Sequence, residues 1–96
     1  MPKKCYVIMP YGGNDPERRE RFEGVFRSII CPAAAAAGYE AIREDHEATP
    51  GNITRNIILN LAGADMVVAD LTGGNANVFY ELGIRHVLTK SRTVLI

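Results

Sequence analysis

The chain has 96 residues, of which 47% are hydrophobic, and it carries 11 basic and 11 acidic side chains. This length fits a single domain with one core. The formal net charge of zero argues against direct nucleic-acid binding through a strongly basic surface. The apolar runs are too short for a transmembrane helix or a secretory signal, so we expect no membrane partner. Cys5 and Cys31 lie in apolar sequence, which favours buried, reduced thiols in a cytoplasmic protein over a disulfide.

The first third of the chain predicts a buried strand followed by an amphipathic helix. Residues 4–9 are apolar on both faces and end at Pro10, as expected for a strand covered on both sides of a parallel sheet. Asp15 is suited to the N-cap of a helix, with Pro16 at the first helical position. Charged residues take the outer faces of this helix, and the apolar residues at helical spacing are Phe22, Val25, Phe26, Ile29 and Ile30.

The next segments predict a second strand and a second helix. Pro32 is expected to kink or restart the first helix, and Gly38 is a natural C-cap. Residues 39–43 alternate weakly, which favours a short strand at the edge of the sheet. Residues 49–63 predict a helix whose buried stripe comprises Ile53, Ile57, Ile58 and Leu61.

A strand, a Gly-rich turn and a helix then follow directly on one another. Residues 66–69 are a short apolar run that predicts a buried parallel strand, with Asp70 at its carboxyl end. Residues 72–75 are turn formers, and Asn77 is a plausible N-cap for a helix over 77–89. We expect this helix to be well buried, because it is apolar on several sides through Val78, Phe79, Leu82, Ile84, Val87 and Leu88.

The predicted elements alternate as β-α-β-α-β-α-β. Right-handed crossovers then predict an α/β fold with a doubly wound parallel sheet of strand order 2-1-3-4. Its switch point lies between strands one and three, where open α/β sheets bind ligands. The last predicted strand, residues 93–96, has nothing after it to cover its outer face. We therefore expect a single domain over residues 1–96 that lacks a C-terminal strand or helix, or that a partner completes.

Two acidic residues are the candidate catalytic groups. Asp70 ends the third strand, and Glu81 is expected about one turn into the next helix, where the helix dipole favours an ionised carboxylate. Because one β-turn-α unit carries both residues, we expect them to meet at one crevice. Cleavage of an N-glycosidic bond passes through an oxocarbenium-like sugar that a nearby negative group stabilises. We therefore assign Glu81 as nucleophile or electrostatic stabiliser, and Asp70 to sugar hydroxyls or proton transfer.

Further side chains are expected to line this crevice as substrate-binding groups. The loop after strand one faces the acidic pair, and an acid follows strand two on the same rim. Asparagines of the Gly-rich turn are placed to bind the sugar or orient the glutamate, and two tyrosines are placed to stack on a base. These candidate substrate-binding residues are Met9, Pro10, Tyr11, Gly12, Asp45, Asn75, Asn77 and Tyr80.

The two acids also have structural interpretations, which stay open at this point. Glu81 and Arg85 have the i,i+4 spacing that is typical of a surface ion pair on a helix. Asp70 is suited to cap the turn by accepting hydrogen bonds from the backbone N–H groups of Thr72 or Gly73.

The other candidates have structural interpretations as well. Asn75 and Asn77 are equally suited to turn and cap positions, and Tyr80 to the core. His86 has no Cys or second His at ligand spacing, so we expect no metal site. The basic residues that could offer local positive charge to an anionic substrate are Arg43, Arg55 and Arg85.

Four stretches together resemble bacterial TIR-like, or nucleoside 2-deoxyribosyltransferase-like, domains. They are residues 5–12, 42–45, 51–54 and 64–86, and the last contains DLTGGNANVFYELGIRH. The resemblance covers nearly the whole chain. It implies a flavodoxin-like, three-layer α/β domain in which Glu81 matches the glutamate at the start of the helix and Asp70 matches the acid at the strand end.

The resemblance also implies chemistry. Deoxyribosyltransferases of this group exchange the base of a deoxynucleoside through a glutamate nucleophile, whereas TIR enzymes cleave nicotinamide from NAD. The former commonly have a further acid in the turn before the glutamate, where this chain has Asn75 and Asn77. We therefore expect cleavage of the N-glycosidic bond of NAD or a related nucleotide or nucleoside, with no separate cofactor.

Two alternatives follow from the same resemblance. One is base exchange by a nucleoside 2-deoxyribosyltransferase. The other is a non-catalytic, nucleotide-binding or self-associating module, like those attached to bacterial signalling and antiphage defence proteins. In either case the expected partners are a nucleotide or nucleoside and a second copy of the chain or a fused domain.

Overall fold

Four strands and four helices account for most of the chain in a computed structural model that describes residues 2–10, 12–43, 55–89 and 92–96. The strands are β1 (Lys3–Ile8), β2 (Tyr39–Ile42), β3 (Met66–Ala69) and β4 (Arg92–Leu95). The helices are α1 (Pro16–Val25), α2 (Cys31–Ala36), α3 (Arg55–Gly63) and α4 (Ala76–Leu88). A π-helical turn (Phe26–Ile30) joins α1 to α2, and a 3₁₀ turn (Thr72–Gly74) precedes α4.

The strands form one sheet in the order β2-β1-β3-β4, and all neighbours are parallel. This confirms the predicted order and places the switch point between β1 and β3. Cys5 of β1 is aligned with Ala41 of β2 and Met66 of β3, so the carboxyl ends of the three strands share one edge of the sheet. The fold is a flavodoxin-like α/β domain.

Each face of the sheet has its own hydrophobic core. Alternate residues of β1 point to opposite faces, because successive side chains of a strand alternate. Tyr6 and Ile8 belong to the core under α3 and α4, which also contains Ile57, Leu61, Ala64, Val67, Ala69, Val78 and Leu82. Cys5, Val7 and Met9 belong to the core under α1 and α2, together with Phe22 and Ile30. The layers are therefore helix, sheet and helix.

The first helical region follows the sequence prediction. Asp15 caps α1, since its side chain accepts hydrogen bonds from the backbone N–H groups of Glu17 and Arg18. Pro32 has no N–H and would clash with the carbonyl group four residues earlier in a regular helix. The chain widens into the π-helical turn just before it, where the Cys31 N–H donates to the Phe26 carbonyl, and then restarts as α2. Gly38 ends the region at a φ of 86°.

The prediction of a well-buried last helix is wrong. In α4, Phe79 is 49% exposed, Val87 86% and Leu88 48%, and on α3 the predicted core residue Ile58 is 43% exposed. Only one side of α4 contacts the sheet, and its buried residues include Asn77, Glu81 and Arg85 beside Val78 and Leu82. The prediction was wrong because it depended on the number of apolar residues in the helix, and half of these residues lie on the side that faces away from the sheet.

The remaining features concern the ends and the cysteines. Val94, Leu95 and Ile96 at the β4 edge are 42–54% exposed, where the sequence predicted an uncovered strand. No helix in the described part of the chain has both the length and the apolar character needed to cross a membrane.

Cys5 is buried, Cys31 is half-buried, and both are reduced. Burial, followed by the proximity of Cys31, raises the pKa of the Cys5 thiol.

Candidate functional site

The turn after β3 fixes the position of Asp70. The Asp70 backbone N–H donates to the Ile8 carbonyl (2.9 Å), which extends the sheet pairing by one residue. Its Oδ1 accepts hydrogen bonds from the backbone N–H (2.9 Å) and the hydroxyl (2.5 Å) of Thr72. Gly73 and Gly74 allow the tight turn, with φ values of 72° and 61°. The turn-capping interpretation of Asp70 is confirmed, and the residue lies buried at the carboxyl edge of the central strands.

Asn75, rather than Asn77, is the N-cap of α4. The Asn75 side-chain oxygen accepts a hydrogen bond from the Val78 N–H at 3.1 Å, and helical geometry begins at Ala76. Glu81 is therefore the sixth helical residue and lies in the second turn, not the first. The prediction that the helix dipole directly favours its carboxylate is wrong, because that effect fades beyond the first turn.

Three polar residues of α4 lie one turn apart on its buried side. Asn77 is 4% exposed, Glu81 3% and Arg85 0%. We call these three residues the α4 polar stripe. They lie beside Val78 and Leu82, which belong to the core under α3 and α4. A surface ion pair between Glu81 and Arg85 is therefore ruled out, since neither residue is at the surface.

Arg85, at the C-terminal end of the α4 polar stripe, forms hydrogen bonds to residues outside α4. Its Nη1 donates to the carbonyl oxygens of Leu61 (2.8 Å), in the last turn of α3, and of Ala64 (3.1 Å), just after α3. Its Nη2 donates to the Arg92 carbonyl (3.0 Å) at the start of β4. These groups lie at the amino ends of β3 and β4, so Arg85, one of three basic residues that could offer charge to a substrate, is directed away from the carboxyl edge. Burial lowers the pKa of the Arg85 guanidinium.

Asn77 lies at the other end of the stripe, in the first turn of α4. Neither its amide nitrogen nor its amide oxygen forms a hydrogen bond with any of the described residues, and both atoms are fully buried. Buried amides are almost always hydrogen-bonded, because leaving them unpaired costs about 1–3 kcal/mol. Such a group at a candidate site is therefore available to a ligand. The role of Asn77 as helix cap is wrong, and its role in substrate binding stays a prediction.

The other predicted site residues take varied positions. Met9 and Pro10 are buried, and Tyr80 is 53% exposed, so the interpretation of Tyr80 as a core residue is wrong. Gly12 has a φ of 95°, and a Cβ there would lie 2.6 Å from the backbone nitrogen of Arg19, so close packing on α1 requires glycine. Tyr11 and Asp45 lie outside the described residues, as does the predicted start of the second helix at residues 49–54.

Sequence reasoning missed a charged groove between α1 and the end of β2. It has a volume of about 730 Å³ and is lined by Arg19, Glu20, Glu23, Phe26, Arg27, Ala41, Ile42 and Arg43. The sequence pattern predicts that the charged residues of this helix face solvent. Their four-residue spacing at positions 19, 23 and 27 was the available signal, because it places all three on one line of the helix.

Among the described residues, no group of three or more His, Cys, Asp or Glu side chains is arranged to hold a metal ion. His86 is exposed on α4.

Comparison with known proteins finds no match for the chain. No protein-family model, no curated protein and no solved structure matches the chain. The fold and the positions of its side chains therefore carry the functional argument.

Proposed function

We propose that the protein cleaves the N-glycosidic bond of NAD or a related nucleotide or nucleoside. The observation that carries the proposal is the burial of Asp70, Asn77 and Glu81 around one β-turn-α unit that begins at the carboxyl end of β3. Three buried polar side chains in one unit are costly for stability, which favours a role in binding or catalysis. Ligands of open α/β sheets bind at this edge.

Each residue has a distinct part in the proposed reaction. Glu81 attacks C1′ of the sugar or stabilises the oxocarbenium-like transition state as the bond from C1′ to the base nitrogen breaks. Water then adds to C1′ and breaks the ester bond to Glu81 where one has formed, which restores the carboxylate, or adds directly to the oxocarbenium ion; the proton of the water passes to the departed base or to solvent. Asp70 uses Oδ1 for the turn, so we assign its Oδ2 to a sugar hydroxyl. The Asn77 amide holds a second sugar hydroxyl, and the exposed Tyr80 ring stacks on the base.

The test is release of a free base. The full chain is incubated with NAD and, separately, with several ribo- and deoxynucleosides, and products are separated by chromatography. We expect base release by the unmodified protein and its loss in Glu81→Gln, whereas Glu40→Gln on the exposed side of β2 retains it. Lack of release from every substrate, or equal release by Glu81→Gln, would refute the proposal.

Base exchange is the alternative within the same chemistry. A second free base is added to the reaction, and the products are searched for the new nucleoside. Exchange would show that a base, rather than water, takes the sugar from the enzyme. We expect hydrolysis to dominate, because Asn75 and Asn77 occupy positions where the base-exchanging enzymes commonly carry an acid.

A non-catalytic module is the second candidate function, and exposed apolar side chains favour it. Phe79, Val87 and Leu88 on α4 and Leu95 and Ile96 at the β4 edge are each about half exposed or more. Such surfaces are frequent at sites of self-association. Calorimetry with nucleotides and light scattering separate the two functions. Binding or assembly without base release supports the module, and absence of both excludes it.

A further inference from the structure

The groove between α1 and β2 is separate from the unit that carries Asp70 and Glu81. Arg43 follows β2 directly and Met9 follows β1 directly, and the Arg43 Nη1 lies 3.6 Å from the Met9 sulfur. The groove thus opens at the carboxyl edge of the sheet, on the side of α1. Its volume of about 730 Å³ falls within the range of about 300–1,000 Å³ that is typical of small-molecule sites.

Positive charge is concentrated in this groove. Arg19 comes from α1, Arg27 from the π-helical turn that follows it, and Arg43 from the end of β2, against two acidic residues, Glu20 and Glu23. The Arg43 guanidinium lies over the Phe26 ring at 4.5 Å from its centroid, and its side chain is only 12% exposed. Stacking on an aromatic ring holds the planar guanidinium in a fixed orientation, which suits paired hydrogen bonds to a phosphate.

Glu23 shows that an anion fits between two of these guanidinium groups. Its carboxylate accepts a hydrogen bond from the Arg27 Nε on one oxygen and from the Arg43 Nη2 on the other. Hydrogen bonds from Arg27, and then from Arg43, lower the pKa of the Glu23 carboxyl. The Glu23 side chain is 40% exposed, so it has room to rotate towards solvent when another anion takes its place.

We propose that this groove is a binding site for a phosphate-bearing small molecule, which displaces the Glu23 carboxylate from Arg27 and Arg43. A purely structural ion-pair cluster would account for Glu23, Arg27 and Arg43, because it joins α1 to β2. It would not account for Arg19, which lines the groove yet makes no ion pair with any described residue. The proposal does not depend on cleavage of a glycosidic bond.

Inorganic pyrophosphate is the probe, titrated into the full chain in a calorimeter at constant ionic strength. The double variant Arg19→Gln/Arg27→Gln removes two groove cations, and Arg18→Gln/Arg21→Gln removes the same charge from exposed positions of α1 outside the groove. We expect the groove variant to weaken binding at least about tenfold and the matched variant less than about twofold, since only the groove variant loses charge-assisted hydrogen bonds to the phosphate. Equal weakening in both variants, or no binding by the unmodified protein, would overturn the proposal.

Glu23→Gln tests the displacement itself. Without the competing carboxylate, pyrophosphate should bind several-fold more tightly, whereas unchanged or weaker binding by a variant with an unaltered circular dichroism spectrum contradicts displacement. Adenosine diphosphate then separates two sources of the phosphate: tighter binding than pyrophosphate assigns the site to a nucleotide, and equal binding to a free phosphate or diphosphate. Glu81→Gln should leave these affinities unchanged, so failure of the glycosidase proposal does not affect this test.

Discussion

Two helical segments of this protein each carry three polar residues at a four-residue spacing. One set is buried and the other faces solvent. The α4 polar stripe is at most 4% exposed, whereas Arg19 and Glu23 of α1 and Arg27 of the π-helical turn border an open groove. Spacing along a helix therefore places residues on one line but does not decide whether that line meets the core. The position of the helix on the sheet decides it, because α4 covers the central strands while this side of α1 faces the edge strand β2.

The comparison also separates two kinds of energetic contribution. Arg85 is fully buried and donates to buried backbone carbonyl groups, whereas Arg27 pairs with Glu23 in contact with solvent. Removing a buried donor leaves its acceptors unpaired, and removing an exposed one lets water take its place. Mutations in the α4 polar stripe should therefore change the free energy of unfolding much more than mutations at positions 19, 23 and 27.

Replacement of Arg85 should have the largest effect on stability. Arg85→Met keeps much of the side-chain volume but leaves the Leu61, Ala64 and Arg92 carbonyls without their donor. We expect a loss of about 3–5 kcal/mol in the free energy of unfolding, measured by urea denaturation. The matched change Arg27→Met in the π-helical turn should leave the unfolding midpoint close to that of the unmodified protein. A similar loss of stability in the two variants would show that burial does not explain how much these residues contribute to the free energy of unfolding.

Asn77 offers a prediction of opposite sign. If its buried amide serves a ligand, Asn77→Leu should remove an unpaired polar group, and the protein should become up to about 2 kcal/mol more stable. Base release should fall in the same variant. Thermal unfolding followed by circular dichroism measures the first effect, and the product assay measures the second. A destabilised variant would mean that the Asn77 amide has a structural partner.

The smallest effect is expected at Glu23, and it depends on pH. The folded-state pKa of Glu23 is lowered by Arg27 and Arg43, so its contribution is present above the unfolded-state pKa of about 4.3 and is lost as pH falls through the folded-state pKa. The loss should be under about 1 kcal/mol, because Glu23 itself is 40% exposed and solvent screens its pairs. Urea midpoints measured from pH 6 to pH 3 should fall less steeply for Glu23→Gln. An equal fall in the urea midpoint of the two proteins between pH 6 and pH 3 would contradict this role of Glu23.

The sequence predicted the framework well for a physical reason. Short apolar runs such as residues 66–69 allow few alternatives to a buried parallel strand, and strand alternation with helices restricts the order of the sheet. All four strands were placed within one residue of their observed ends, and the N-cap at Asp15 was confirmed.

The site was harder to predict, because side-chain environment depends on contacts between distant segments. Asn75 and Asn77 are both suitable caps by residue type, and in the structure Asn75 has the extended backbone of a cap directly after the 3₁₀ turn. The anchor of Arg85 consists of backbone carbonyls from α3 and β4, which leave no pattern in the sequence. The groove needs Arg43 to meet α1, and this contact joins residues 20 positions apart.

The most direct test of the account measures turnover and stability together in Glu81→Gln. Glu81 is 3% exposed, so the nearly isosteric amide should be accommodated without loss of the fold. We predict that base release per folded molecule falls about 100-fold or more, while the thermal midpoint changes by only a few degrees. Turnover equal to that of the unmodified protein in a folded Glu81→Gln variant would contradict the central claim that this buried carboxylate carries the reaction.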